Sequence, residues 1–296
     1  MVGWGTSEPS SPMGSTLAEI KSSIVSEIKQ ASVAEARISL PEGRGVPKIG
    51  LINAIGMVVL RIAVLYSGGK DSTLAALRAL DAGHEIGALV SVSVRGQDSW
   101  MFHLPNIELT RVQADCMGLP WIRIEVSGQK EAEVKEMQTS LKPIIERLKI
   151  DALCTGAIAS NYQMERVRRV CDALGCRDFS PLWGLSEESL LNDLLKLHFE
   201  VYFTSVSAEG LGKEWLGSRL DEQRVRDLIK MKAQYGINAS GEGGEYETFV
   251  SDCPIFRKRI IISEGVLDWK RNCGTWSIKK FIVETKGLPR PKHCPP

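Results

Sequence analysis

Residues 58–72, VVLRIAVLYSGGKDS, run from an apolar segment through a pair of glycines into the start of a helix. The near-continuous apolar run at 58–66 is typical of a strand that is buried on both faces of a parallel sheet. The residues from Ser72 to Ala82 are predicted to form the helix that follows. A strand joined to a helix in this way is the first part of a βαβ unit.

The same alternation continues along the chain. Further strands are predicted at 86–94, 121–126, 152–155 and 200–206, and helices at 106–117, 131–148, 162–174 and 187–197. Pro143 is expected to kink or divide the second of these helices. The alternation implies a parallel sheet with right-handed crossovers. After a helix at 221–234, the β-rich segments 254–263 and 275–284 predict antiparallel strands.

These patterns predict an α/β fold: a Rossmann-like parallel sheet with helices on both faces, and a smaller C-terminal α+β region. The expected divisions are an N-terminal extension at 1–56, a nucleotide-binding domain at 57–206 and a C-terminal substrate-binding region at 207–296. The extension combines a Gly/Ser/Pro-rich start, one amphipathic helix and a linker. Three interpretations stay open: it docks on the body, it is disordered, or it reflects an upstream start codon, with Met57 as the working start.

Composition narrows the classes of function. The chain has 296 residues, with 37 basic and 36 acidic side chains and a net charge of +1, so bulk charge does not attract nucleic acid or anionic lipid. No uninterrupted apolar run reaches the length of a membrane span. The first residues lack the apolar core of a signal peptide, and Glu19, Glu27 and Glu35 argue against a mitochondrial presequence. We therefore expect a soluble cytoplasmic protein without direct nucleic-acid or membrane partners.

The cysteines and histidines do not predict a metal site. The seven cysteines include no C-x-x-C pair, which argues against a disulfide framework and a zinc knuckle. His84, His198 and His293 have no ligand set at a recognised spacing. No metal site made of protein side chains is therefore expected.

The segment Ser67–Ser72 has the properties of a phosphate-binding loop. Gly68 and Gly69 allow a tight turn and a close approach of the backbone to an anion, and the following helix start presents unpaired N–H groups. Lys70 adds a positive charge. The segment is not a Walker A loop, since Val64 and Asp71 occupy the positions of its first glycine and its hydroxyl residue. The alternative is a capped glycine turn, which would not require the lysine.

Distinctive polar residues follow the ends of the first, second and fourth predicted strands. In open parallel sheets, ligands bind beyond the carboxyl ends of the strands at the point where strand order reverses. We therefore expect Lys70, His103, Ser160 and Tyr162 to line one pocket. For His103 the choice between a role in phosphate contact or proton transfer and a structural hydrogen bond stays open.

Glu242, Glu245 and Glu247 lie among glycines 241, 243 and 244, a pattern that cannot form a stable amphipathic helix. A solvent-exposed loop is one interpretation. If the segment faces the pocket, its negative charge requires a cation there.

The strand–SGGKDS–helix arrangement resembles the PP-loop of the N-type ATP pyrophosphatases, which cleave ATP between the α and β phosphates. Four further segments are similar to the diphthine–ammonia ligase family within that superfamily. They are MFHLPN at 101–106, GAIASNYQ at 156–163 with Arg166, PLW at 181–183 and GEGGEYET at 241–248. The resemblance covers residues 57–284, and the last and the second of these segments are its most specific parts.

The resemblance implies ATP-dependent amidation of diphthine on elongation factor 2 with ammonium, through an acyl adenylate, releasing AMP and pyrophosphate. It implies ATP and Mg²⁺ as cofactors. The catalytic residues it implies are Lys70, Asp71, His103, Glu242, Glu245 and Glu247. The nucleotide contacts are Ser67, Gly68, Gly69, Lys70, Asp71, Ser72, Ser91 and Gly156, and the substrate contacts are Asn106, Ser160, Tyr162, Gln163 and Arg166.

In this interpretation the glutamates would balance Mg²⁺, ammonium or the trimethylammonium group of diphthine, and the aromatic face of Tyr162, Trp183 or Tyr246 would complement the quaternary cation. Two other functions stay open. One is another adenylating PP-loop enzyme such as a nucleobase thiolase, although the missing C-x-x-C pairs weaken its sulfur-carrying versions. The other is a non-catalytic nucleotide sensor. A homo-oligomer is compatible with the sequence.

Overall fold

A computed structural model of the chain describes residues 51–52, 58–94 and 106–287. Most of the predicted N-terminal extension and His103 lie outside them. The strands are β1 (Leu51–Ile52), β2 (Val58–Val59), β3 (Arg61–Leu65), β4 (Glu85–Val94), β5 (Trp121–Val126), β6 (Ala152–Cys154), β7 (Arg177–Phe179), β8 (Glu200–Val206), β9 (Tyr246–Asp252), β10 (Lys258–Lys270) and β11 (Cys273–Thr285). The helices are α1 (Lys70–Asp81), α2 (Thr110–Met117), α3 (Lys130–Leu148), α4 (Asn161–Leu174), α5 (Glu187–Lys196) and α6 (Glu222–Tyr235).

Five parallel strands form the first sheet, in the order β5-β4-β3-β6-β7. The chain adds strands outward from β3 on one side and then returns to add β6 and β7 on the other. The order of strands therefore reverses between β3 and β6, which is where open α/β sheets bind ligands. This Rossmann-like arrangement confirms the predicted fold class.

Helices cover both faces of this sheet because alternate residues of its strands point to opposite sides. Ile62 belongs to a core that includes Leu74 of α1 and Cys116 of α2. Its neighbour Ala63 belongs to a second core, with Leu141 of α3 and Val170 of α4. All six side chains are almost fully buried. The two apolar cores thus fix the sheet between two helical layers.

The second sheet is antiparallel, in the order β10-β11-β8-β9. The prediction that residues 200–206 form a strand of the parallel sheet is wrong, because β9 and β11 pair with the two edges of β8. The antiparallel strands therefore begin at Glu200, whereas the sequence placed the start of the C-terminal region at residue 207. The fifth parallel strand is β7, a segment of three residues that carries two exposed charges and has no apolar run.

Three local features differ from the sequence prediction. The apolar run at 58–66 is divided, since β2 pairs antiparallel with β1 and only β3 enters the parallel sheet. Helix α3 continues through Pro143 without being divided. Residues from Tyr246 onward form strand β9, although the glycines before them predicted a loop.

In the C-terminal region, β10 and β11 form a long hairpin with thirteen residues in each strand, as the two β-rich segments predicted. None of the helices in the described ranges has the length and apolar character needed to cross a membrane.

Candidate active site

The predicted phosphate loop lies between β3 and α1. Gly69 is the N-cap of the helix, and Gly68 has a φ of +81°, a conformation that L side chains rarely adopt. A Cβ atom on Gly68 would also lie 2.4 Å from Oε1 of Gln113. The hydroxyls of Ser67 and Ser72 are 3.1 Å apart across the turn. Backbone conformation and space therefore both require glycine at position 68.

The loop after β6 packs directly against this turn. A Cβ atom on Gly156 would lie 2.7 Å from the backbone carbon of Asp71 and 2.8 Å from the nitrogen of Ser72. Such distances are shorter than real Cβ contacts, so only glycine lets the two loops approach this closely. The structure thus brings Gly156 to the first turn of α1, at the reversal of strand order.

Strand β9 borders the phosphate loop from the side of the second sheet. The Val250 N–H donates to the carbonyl of Gly68 at 3.1 Å, and the Lys70 N–H donates to Oγ1 of Thr248 at 3.1 Å. The fully buried Gln113 donates from Nε2 to the carbonyls of Gly68 and Val250, at 2.9 and 2.7 Å. The two sheets therefore meet at the phosphate loop.

Sequence reasoning missed Gln113 and Thr248 as residues of this site. Thr248 is the last residue of the GEGGEYET segment, which was the available signal. The sequence signal for Gln113 was weaker. It is a polar residue on the side of α2 that is buried, together with Thr110, Cys116 and Met117.

The ammonium group of Lys70 contacts other groups of the protein. Its side chain is only 3% exposed, and its ammonium donates to Oδ2 of Asp71 at 2.8 Å and to the carbonyl of Ser240. The ammonium also lies 5.1 Å from the ring centre of the buried Tyr246. These contacts neutralise much of its charge within the protein, and a catalytic contact of Lys70 with phosphate stays a prediction.

The negative charge of the Asp71 carboxylate is balanced only in part by protein groups. Its Oδ1 atom is buried and has no hydrogen-bond partner in the part of the chain that the structure describes. Burial raises the pKa of Asp71, Lys70 acts in the opposite direction, and the nearby Glu242 raises it further. An ionised Asp71 would therefore be stabilised by an additional cation at Oδ1.

The three glutamates of the GEGGEYET segment have different surroundings. Glu242 accepts the N–H groups of Ile158, Ala159 and Ser160, at 2.8, 2.9 and 3.1 Å. Glu245 accepts the N–H of Asn238 at 2.8 Å with Oε1, whereas its Oε2 is buried without a partner.

Glu247, on β9, differs from both. Its half-buried carboxylate makes no hydrogen bond or ion pair with any residue that the structure describes. Burial raises its pKa to about 7. Glu247 therefore exchanges a proton near neutral pH, a property suited to general acid–base catalysis.

Four predicted substrate contacts lie at the start of α4. The Ser160 hydroxyl caps the helix by accepting the Gln163 N–H at 3.3 Å. Tyr162 is 57% exposed, and the Arg166 guanidinium lies 5.0 Å from its ring centre. Arg166 also forms an ion pair with Glu133. The structure thus places Ser160, Tyr162 and Gln163 beside the loop that Glu242 binds, while Arg166 is engaged by neighbouring side chains.

Two predicted residues have polar side chains that are engaged by other groups of the protein. Ser91 is fully buried, and its hydroxyl is hydrogen-bonded to the Tyr66 carbonyl and to Thr110. The Asn106 amide pairs with the backbone of β11, donating to the Trp276 carbonyl and accepting the Ile278 N–H. The Ser91 side chain therefore bonds to groups in the protein interior, and the Asn106 side chain bonds to strand β11 of the hairpin.

No group of three His, Cys, Asp or Glu side chains within the described ranges forms a metal-ligating cluster. Magnesium in nucleotide sites is usually held by one or two carboxylates together with phosphate oxygens. Asp71 suits this mode, because its unpartnered Oδ1 lies in the first turn of the helix that follows the phosphate loop.

A parallel sheet with a glycine loop at its reversal of strand order, and a carboxylate beside that loop, define an α/β protein of the nucleotide-binding class. Comparison with known proteins narrows this class. Residues 60–178 match the model of the diphthamide synthase N-terminal domain, and residues 186–283 match that of the diphthamide synthase C-terminal domain. The chain belongs to the diphthamide synthase family, which confirms the resemblance seen in its motifs.

Individual relatives agree with this assignment. The diphthine–ammonia ligase of Bos taurus is 33% identical over 259 residues, which are 79% of this chain and 97% of that protein. The Homo sapiens diphthine–ammonia ligase is 33% identical over 70% of this chain and 84% of its own length. That of Schizosaccharomyces pombe is also 33% identical, over 69% of this chain but 36% of its own length.

Proposed function

We propose that the chain is a diphthine–ammonia ligase, which uses ATP and ammonium to convert the carboxylate of diphthine into an amide. The observation that carries this proposal is the contact between the phosphate loop and the GEGGEYET segment, the most specific family motif. Ser240, just before that segment, contacts the Lys70 side chain, and Thr248 at its end contacts the Lys70 backbone. The nucleotide and the substrate groups would therefore meet at one place.

The proposed reaction has two steps. A carboxylate oxygen of diphthine attacks the α-phosphorus of ATP, the bond to the β-phosphate oxygen breaks, and pyrophosphate leaves. Ammonia then attacks the acyl carbon, AMP leaves with the bonding electron pair, and the nitrogen loses a proton to give the amide. The first step turns a poor electrophile into one that a weak nucleophile can attack.

The phosphate loop would stabilise the charge that develops on pyrophosphate, through the backbone N–H groups at the start of α1. We propose that Asp71 holds Mg²⁺ there, and the ion would supply further charge stabilisation when bound. Most of the acceleration would come from positioning and electrostatics. His103, which lies outside the described residues, stays a candidate for phosphate contact or proton transfer.

Glu247 is the glutamate best suited to proton transfer from ammonium, because its carboxylate has no partner among the described residues and burial raises its pKa to about 7. Tyr162 and Trp183, 57% and 38% exposed, are candidates for binding the trimethylammonium group. Tyr246 is less suited, since it is buried and its ring already contacts Lys70.

The protein substrate in this proposal is elongation factor 2 that carries diphthine, and the compartment is the cytoplasm. No direct nucleic-acid or membrane partner is invoked. Homo-oligomerisation stays a prediction from the sequence.

Mass spectrometry of diphthine-bearing elongation factor 2 tests the proposal directly. The factor is incubated with the chain, ATP, Mg²⁺ and ¹⁵N-labelled ammonium, with reactions lacking ATP or ammonium as controls. We expect one labelled amide per diphthine, with equimolar AMP and pyrophosphate. ATP binding without label incorporation would contradict ligase activity and favour a nucleotide sensor. Pyrophosphate release that requires a nucleobase substrate would favour another adenylating enzyme.

A further inference from the structure

The Glu242 carboxylate connects two loops that come from different sheets. Glu242 lies between β8 and β9 of the antiparallel sheet, in a tight segment where Gly241 and Gly244 have φ values of +76° and +87°. The N–H groups that it accepts belong to Ile158, Ala159 and Ser160, between β6 of the parallel sheet and α4.

This contact involves nearly the full hydrogen-bonding capacity of the carboxylate. Oε1 accepts all three N–H groups, and Oε2 accepts the Ala159 N–H at 2.9 Å. Successive backbone N–H groups at a helix start form a concave anion site, and bonds to an ionised acceptor are stronger than those between neutral groups. Glu242 is therefore bound as an internal anion.

The bound loop is next to residues with proposed roles. Ser160 is itself one of the three donors, and Tyr162 lies in the first turn of α4. On the other side, Ser240 is two residues from Glu242 and accepts from Lys70 in the phosphate loop. The segment 240–242 thus connects the phosphate loop with the start of α4.

From this geometry we propose that Glu242 is a positioning residue, whose carboxylate clamps the 158–160 loop to the segment before β9 and so sets Ser160 and Tyr162 relative to the phosphate loop. It acts through these groups and does not itself exchange a proton with the substrate. This assignment replaces the catalytic role predicted for Glu242 from its sequence motif. Its activity readout rests on the proposed ligase function, its ATP-binding readout rests on the nucleotide site alone, and its stability readout rests on neither.

Chemical rescue of the Glu242→Ala variant separates a clamp from a proton-transferring residue. Removing the side chain leaves the three N–H groups able to bind a small anion. We expect formate and acetate to raise the thermal midpoint of unfolding of Glu242→Ala much more than that of the wild type. They should also restore the ATP affinity that the substitution lowers, as measured by calorimetry. The matched control is Glu165→Ala on α4, which removes a carboxylate that makes only an exposed pair with Arg169.

Turnover gives the second readout. Glu242→Ala should lose about 10²-fold in amidation rate, the effect of a small misplacement of bound groups. Formate and acetate should restore turnover to similar extents despite their different basicity, and imidazole should not restore it. Rescue by imidazole, or rescue that increases with the basicity of the added anion, would overturn the clamp and assign proton transfer.

Glu242→Gln provides a test if the alanine variant does not fold. The amide keeps the side-chain volume but lacks the charge, so we expect weaker ATP binding with an unchanged pH profile of turnover. A pH profile that loses one limb would overturn the proposal. Absence of amidation by the wild type would contradict the proposed function alone, because thermal and calorimetric rescue would still decide the clamp.

Discussion

At the scale of single residues, Asp71 is distinctive because one oxygen of its carboxylate is paired with the buried Lys70, whereas the other is buried and has no partner within the described ranges. A charge in such surroundings is costly unless a ligand compensates it. The residue is therefore configured for a cationic ligand, and the proposed ligand is Mg²⁺ bound to nucleotide.

Asp71→Asn should reduce ATP-dependent pyrophosphate release by about 10²- to 10³-fold, the effect of removing one preorganised electrostatic group. The amide keeps the size of the side chain but cannot balance a divalent cation. Steady-state kinetics over a range of Mg²⁺ concentrations would measure the effect, and excess Mg²⁺ should not restore the rate. Asp81→Asn, at the other end of the same helix, should leave the rate unchanged.

Glu247 makes folding stability depend on pH. Its pKa is raised from 4.5 to about 7 in the folded protein, so the folded state binds more protons than the unfolded state between these values. The free energy of unfolding should therefore fall as pH rises through this window, by roughly 1–3 kcal/mol. Denaturant titrations at several pH values would measure it.

Glu247→Gln should remove most of this fall, because the amide does not ionise. Glu209→Gln is the control, since Glu209 is exposed. A wild type and a Glu247→Gln variant with parallel stability profiles would contradict the assigned burial effect.

The sequence predicted that the three glutamates share a segment near the nucleotide, but it did not separate their roles. Their roles differ because Glu242 meets backbone N–H groups some eighty residues away in the chain, Glu245 meets its own turn, and Glu247 points from a strand. Such differences arise from tertiary contacts. Spacing alone carries no information about them.

At the scale of elements, the phosphate loop and the loop after β6 can lie in contact because residue 156 is a glycine and has no side chain. Gly156 lies against the backbone of Asp71 and Ser72. Neither backbone segment can move aside easily. Asp71 and Ser72 belong to helix α1, and Gly156 follows β6, an interior strand of the parallel sheet.

Gly156→Ala should therefore lower the free energy of unfolding by about 1–3 kcal/mol, the usual cost of overpacking. It should also weaken ATP binding, since the first turn of α1 would be displaced. Thermal denaturation and calorimetry would measure both effects. Gly287→Ala is the control, because a Cβ atom there meets no atom of the described residues within 4 Å. Equal effects of the two substitutions would contradict the close approach.

The sequence predicted most elements of the parallel sheet, since β3, β4 and β6 are mainly apolar and β5 alternates apolar and charged residues, all between helical segments. It failed for β7, which has too few residues and too much charge for an apolar signal. It also assigned β8 to the wrong sheet. The pattern of β8 shows that it is a strand, but its partners are chosen by the later strands β9 and β11.

At the scale of the whole molecule, Gln113 joins the two sheets through one buried amide. Its Nε2 donates to Gly68 of the phosphate loop and to Val250 of β9. Gly68, Gln113 and Val250 are all buried, so removing this donor would leave both carbonyls with one hydrogen bond fewer in the interior.

Gln113→Leu should lower the free energy of unfolding by about 1–3 kcal/mol, because two buried carbonyls would each lose a hydrogen bond. It should also lower ATP affinity, since Gly68 is one of the affected groups. Equilibrium denaturation and calorimetry would measure these effects. Gln223→Leu, at an exposed site on α6, should change neither quantity by a comparable amount. A Gln113→Leu variant as stable as the wild type would contradict this bridge.

The bonding of Gly68 has a consequence for the kinetics of nucleotide capture. Its carbonyl is fixed by Val250 and Gln113 together, so contacts within the protein determine the shape of the loop. Little ordering entropy then remains to be lost on association. The association rate of ATP would accordingly be limited by diffusion and orientation, and not by a slow conformational change of a flexible loop.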